Sequence, residues 1–246
     1  MTSPIAFFPF SFPGLPGVGC AFTSRQGGAS VYPFQYANLS HDVGDDRAAV
    51  DENRTLLKER FRLLELADRT QVHADALCFD PREGDAGEAD GLATARPGVG
   101  LMIKTADCQP VLLAHESGRY VAALHVGWRG NVLGFPGSGV ARFCGEYGLA
   151  PEELFAVRGP SLGPEQAEFT NFEAEFGPGF AAYHDPAKRT VDLWALTRAQ
   201  LLEAGLLPGR VFGVDLCTRT LPEVFFSYRA SRRTGRQAGL IWIVDR

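Results

Sequence analysis

Residues 100–130, GLMIKTADCQPVLLAHESGRYVAALHVGWRG, decide how this chain is read. Two apolar, β-branched runs inside the stretch, 111–114 and 120–124, have the length and composition of buried strands. Cys108, in TADCQP, stands just before the first run, and His125, in LHVGWRG, just after the second. A third side chain of the same kind, His73 in TQVHAD, follows a helical pattern that ends near Ala67. One thiol and two imidazoles at element edges make the donor set of a catalytic zinc site, with three protein ligands and one open position. The gaps between them match no zinc-finger spacing, so the fold must assemble such a site. The same residues allow a metal-free reading, with Cys108 as nucleophile, His125 as its base and Asp107 or Asp90 as the orienting carboxylate.

Working outward, the N-terminal MTSPIAFFPFSFPGLPGVGC is apolar but has no Lys or Arg before Arg25. Its prolines would break a signal-peptide helix, so it reads as an extended arm or edge strand. Residues 20–24 form a short strand that leads into TSRQGGAS, where Gly27 and Gly28 mark a tight turn and Arg25 offers an anion clamp. NLSHDVGDD, 38–46, is a polar loop. Beyond it Val50, Leu57, Phe61 and Leu64 recur at helical spacing over 46–67. A strand at 76–80 precedes an acidic, turn-rich loop whose spacing fits no EF-hand. Its last carboxylate, Asp90, sits next to Gly91.

On the far side, NVLGFPGSG delays a helix until after Pro136, with Val140, Phe143 and Tyr147 inward. Strands are expected at 155–158, 211–216, 225–227 and 240–244, and helices at 170–176 and 193–204. There is no GxGxxG and no Walker A sequence, so neither a dinucleotide fold nor a P-loop is indicated. The pattern reads as one layered α/β domain with mixed sheets.

The formal charge of −5 and the lack of any Lys/Arg-rich run argue against nucleic-acid binding. No apolar run approaches the roughly 20 residues of a membrane span. Five widely spaced cysteines without a CxxC pair suit free thiols in a reducing cytoplasm. The sequence carries no signal of oligomeric state.

QVH, ADG, KTADCQPVLL, HVGWRG, GPSLGP, the CT at 217 and 218, and FFSYR…TGRQAGLIW together resemble the multicopper polyphenol oxidase-like (laccase-domain) family. Members of that family act as zinc-dependent purine nucleoside phosphorylases with adenosine deaminase side activity. The resemblance implies a single α/β (α+β) domain over 1–246, of mixed β-sheets layered against helices, a cysteine-hydrolase-like laccase-domain fold. It implies zinc on His73, Cys108 and His125, with copper binding adventitious. It implies purine nucleosides and phosphate as substrates, adenosine, inosine or guanosine among them, and methylthioadenosine phosphorolysis besides. Arg25, of SxRxGG, and Asn38, opening the NLS loop, would lie in the substrate cleft.

Arg25 and Arg129 are candidates for phosphate. Deamination needs a metal-activated water and a carboxylate shuttle, for which Asp107 or Glu168 would serve. The chain departs from the family's GPCxxxxYEV loop: Glu165, Gln166 and Ala167 precede Glu168, so the aromatic is lost and the Glu kept. Two rivals remain, a Cys108–His125 amide or peptidoglycan-precursor hydrolase and a copper polyphenol oxidase. Five histidines and no HxH are too few for a blue site plus a trinuclear cluster. A non-enzymatic nucleotide-sensing module would not need an open metal position.

Overall fold

A computed structural model describes residues 3–245. In chain order the first strands are β1 (Phe7–Phe10), β2 (Val18–Thr23), β3 (Glu65–Ala67), β4 (Leu77–Phe79), β5 (Gly91–Thr94) and β6 (Val99–Thr105). They are followed by β7 (Gln109–His115), β8 (Val121–Val126), β9 (Leu154–Arg158), β10 (His184–Asp185), β11 (Thr190–Val191), β12 (Val211–Gly213) and β13 (Gln237–Ile243). The helices are α1 (Arg47–Phe61), α2 (Trp128–Val132), α3 (Phe135–Tyr147), α4 (Phe172–Glu175) and α5 (Leu193–Glu203).

Five strands in the order β1-β2-β13-β6-β3 form one sheet, and six in the order β12-β9-β7-β8-β5-β4 form the other. Both are mixed: β3 pairs parallel with β6, β4 with β5 and β12 with β9, while the remaining pairs are antiparallel.

Period-two alternation assigns each face of these strands to a different core. Leu101 and Ile103 of β6, Ile241 of β13, Leu112 of β7 and Ala123 of β8 meet between the two sheets. The intervening residues point outward. Met102, Leu240 and Trp242 pack under Leu57 of α1, whereas Val111, Leu113 and Leu124 pack under Phe135, Val140 and Phe143 of α3 and Leu201 of α5. The result is four layers, helix, sheet, sheet, helix. Sheets covered on both faces explain why 111–114 reads as a continuous apolar run. The packing leaves no room for extra atoms: a Cβ on Gly239 of β13 would sit 2.6 Å from the Pro110 ring of β7.

Several boundaries differ from expectation. The helix predicted over 46–67 stops at Phe61, because Arg62 turns left-handed (φ 54°) and its N–H caps the carbonyls of Lys58 and Glu59. The residues after it become β3 instead. Pro136 does not delay its helix but sits in the first turn of α3, where a missing N–H costs nothing. Residues 225–227 form no strand; the Gln237 side-chain amide pairs with the N–H and C=O of Phe226 in place of a neighbouring strand. The helix at 170–176 shrinks to α4 and the strand at 211–216 to β12.

Leu112 is fully buried between the sheets. Leu112→Ala is expected to cost roughly 2–5 kcal/mol, read as a lower urea midpoint with an unchanged slope.

Candidate metal centre

Cys108 lies in the three-residue link, 106–108, that carries the chain from β6 in one sheet to β7 in the other. His125 occupies the end of β8, paired in register with Pro110 of β7, and so faces the same end of the sandwich. His73 comes from the loop between β3 and β4 and adopts a left-handed backbone (φ 61°). One donor atom from each of the three residues lies within 4.8 Å of the other two, and the two imidazole centroids are 4.8 Å apart.

Asp90 builds this cluster. It is completely buried. Its Oδ2 accepts the N–H groups of Val72 (3.1 Å) and Ala74 (2.8 Å), and its Oδ1 accepts that of His73 (3.0 Å) and Nδ1 of His125 (2.7 Å). Its backbone carbonyl accepts the N–H of His125 at 2.7 Å. Burial opposes its ionisation, but the bond from His125 and the backbone amides outweigh that and hold its pKa below the usual carboxylate range. Because the carboxylate holds Nδ1–H, the His125 ring presents Nε2 as its lone-pair donor.

Burial also opposes a charge on Cys108, yet facing His125 and His73 brings the thiol down to about 6. The reciprocal attraction, aided by Asp90, lifts His125 to about 9 against its own burial. Such a thiol is predisposed to ligate a metal.

The residues fit a metal by shape as well as donor type. A Cβ on Gly127 would lie 2.9 Å from Cys108 Sγ and 3.2 Å from His73 Nδ1, so the glycine keeps the donors unobstructed. Among the described residues no second group of three such ligands occurs. His41 pairs with Asp51, His115 with Glu153, and His184 stacks on Phe172.

The cluster forms the floor of a cavity of about 510 Å³. Trp128, Leu162, Phe169 and Leu193 line it from a separate apolar cluster that includes Phe172 and Phe176, and Ser40, Asp42, Gln71 and Lys104 supply polar lining. Arg129, Arg229 and Arg236 complete the rim. Arg129 stacks over Trp128 at 4.4 Å, and Arg229 lies over Phe169 at 5.1 Å. Burial lowers the Arg236 pKa, against the pull of Cys108 and Asp107.

The remaining candidates fall elsewhere. Arg25 is not in this cleft: its Nε and Nη1 bind the carbonyls of Gln35 and Pro222, and it lines a separate cavity of about 150 Å³. Asn38 is buried and acts as a brace, its Oδ1 taking the N–H groups of Ser40 and Arg236. Glu168 lies outside the cavity lining and pairs with Arg189. Asp107 borders the cavity, but its two oxygens accept Thr218 Oγ1 and the Arg229 N–H, each at 2.7 Å. Its φ of 94° turns the chain so that Cys108 follows. Lys104, Arg229, Arg236 and Asp42 carry no role in the sequence reading, although Lys104 opens KTADCQPVLL, Arg229 closes FFSYR and Arg236 lies in TGRQAG.

With this geometry in hand, comparison with known proteins is decisive for kinship. The model of the family described as multi-copper polyphenol oxidoreductase laccase matches residues 19–244. The chain belongs to that family. A purine nucleoside phosphorylase, YfiH of Shigella flexneri, is 34% identical and aligns over 93% of this chain and 95% of its own. The purine nucleoside phosphorylase of Haemophilus influenzae is 35% identical over 89% of this chain and 92% of its own. Among solved structures, a Neisseria meningitidis protein superposes with a TM-score of 0.86 at 30% identity, covering 97% of this chain and 99% of that one. YlmD from Geobacillus stearothermophilus gives 0.85 at 28% identity, covering 95% and 94%.

Gly127→Ala is expected to lower metal stoichiometry, measured by elemental analysis, while the far-ultraviolet circular dichroism stays unchanged. Asp90→Asn should weaken metal binding roughly 10–100-fold in chelator competition.

Proposed function

We propose that this chain is a zinc-dependent purine nucleoside phosphorylase, which converts adenosine, inosine or guanosine and phosphate to the free base and ribose 1-phosphate. The observation that carries the reading is one cavity that joins the His73–Cys108–His125 cluster to three rim arginines. Its volume of about 510 Å³ falls within the roughly 300–1,000 Å³ common for ligand pockets. The names of the relatives support the same activity.

In phosphorolysis a phosphate oxygen bonds to C1′ as the C1′–N9 bond breaks, and the electron pair leaves with the purine. Little covalent work falls to the protein, so position and electrostatics dominate. Arg129, Arg229 and Arg236 would hold phosphate, since planar guanidinium forks suit its oxygens. The aromatic lining would take the base and exclude water. His73, Cys108 and His125 would hold zinc, which when bound supplies a Lewis acid beside the reacting group. Adenosine deamination and methylthioadenosine phosphorolysis are further activities that the resemblance implies. The five free cysteines are consistent with a cytoplasmic location, and no helix among the described residues is long and apolar enough to cross a membrane.

A second reading has a specific observation in its favour: Cys108 faces His125, whose Nδ1 rests on Asp90, in the order of a thiol–imidazole–carboxylate hydrolase. One experiment separates the two. Metal content and inosine-plus-phosphate turnover are measured on wild type and Cys108→Ala. The phosphorylase reading expects stoichiometric zinc, lost together with turnover in the variant. A wild type that resists zinc reconstitution while Cys108 alkylates rapidly overturns it in favour of the hydrolase.

A further inference from the structure

Among the described residues two carboxylates line the cavity, Asp42 and Asp107. Both oxygens of Asp107 already accept hydrogen bonds from the fold. Asp42 is different. Its Oδ2 takes the Lys104 ammonium at 3.3 Å and the Ser40 hydroxyl at 3.4 Å, and among the described residues Oδ1 has no partner. Its side chain is 56% exposed, so that oxygen is open to a ligand.

The position is built rather than incidental. Asp42 sits on a 3₁₀ turn, His41–Val43, whose N-terminal cap Ser40 accepts the Asp42 N–H. Asn38 fastens that cap to the backbone of Arg236. Lys104 is 7% exposed and anchored at 2.6 Å to Asp68, which burial would make neutral but Lys104 and Arg54 keep ionised. The anchored ammonium donates to two carboxylates and has a third N–H available to the cavity.

We propose that Asp42, with Lys104 beside it, is the acceptor for the vicinal ribose hydroxyls of the substrate. This rests on the nucleoside phosphorylase reading and adds what selects the sugar. A hydroxyl both gives and takes a hydrogen bond, and the pair supplies an acceptor and a donor side by side. A phosphate would be repelled by Asp42, and a purine ring has better partners in Trp128 and Phe169. The sugar is the part of a nucleoside that must lie between base and attacking phosphate. Asp42, Cys108 and Arg236 line the same cavity, which places the carboxylate on the wall it shares with the candidate metal centre.

The test compares binding of adenosine and 2′,3′-dideoxyadenosine to the zinc-loaded protein by calorimetry, in wild type, Asp42→Ala and Asp42→Asn. Wild type is expected to prefer adenosine by roughly 10–100-fold, the size of a lost charge-assisted hydrogen bond. Asp42→Ala should abolish the preference by weakening adenosine alone, with zinc content unchanged. Asp42→Asn, which keeps one carbonyl acceptor, should fall between. The inference is overturned if wild type shows no preference, or if Asp42→Ala weakens both ligands equally or neither. Inosine-plus-phosphate turnover of the same wild type is scored separately: its absence overturns the phosphorylase reading whatever the diol preference.

Discussion

Asp90 is the constraint on which the rest of the site depends. One buried carboxylate accepts three consecutive backbone amides and an imidazole N–H, and every one of its partners is a donor. An uncharged amide of the same shape would turn an NH₂ toward at least one of them. The geometry therefore requires a charge where burial disfavours one, and the four bonds offset that cost. In return Asp90 holds the left-handed backbone of His73 and the tautomer of His125. Two of the three metal-capable side chains thus answer to a residue that is not part of the cavity lining.

The third, Cys108, answers to the sheets. A three-residue link between β6 and β7 is short enough that the positions of the strands dictate where its last residue stands. Asp107 then ties that link to Thr218 and Arg229, and its backbone carbonyl accepts the N–H of Leu162. The Asp of TADC is thereby a structural knot. This accounts for its place beside the cysteine without giving it a proton to move. Carboxylates adjacent in sequence to a reactive group are commonly read as its chemical partners. Here the sequence neighbour Asp107 has both oxygens occupied, by the Thr218 hydroxyl and the Arg229 N–H.

What was legible in the sequence was whatever local pattern encodes. The runs around 111–114 and 120–124 announce β7 and β8, and α5 (Leu193–Glu203) falls where a helix is expected over 193–204. His73, Cys108 and His125 stand out in the sequence as one thiol and two imidazoles at element edges, and the fold brings their donor atoms together. The four-layer order was not, since strands covered on both faces hide their alternation and the partner of each face lies far along the chain. Arg25 shows the same limit. Beside a Gly–Gly turn it looks like an anion clamp, yet two carbonyls from distant segments take its N–H groups and it never reaches the cleft. Gln237 stands in for a strand partner through a side chain, which no period reveals.

The family's copper-derived description and the nucleoside phosphorylase reading make opposite demands on the chain, and the cavity bears on both. Electron transfer among several coppers needs several clusters of histidine, whereas the described residues assemble one, with the other histidines committed elsewhere. Phosphorolysis instead needs a cleft whose groups sort an anion, a sugar and a base. Arg129, Arg229 and Arg236 cluster on this rim in a chain whose formal net charge is −5. Arginines on the rim, carboxylate and ammonium on one part of the lining, and aromatic rings on another divide the cavity by chemistry. A nucleoside and phosphate are divided the same way.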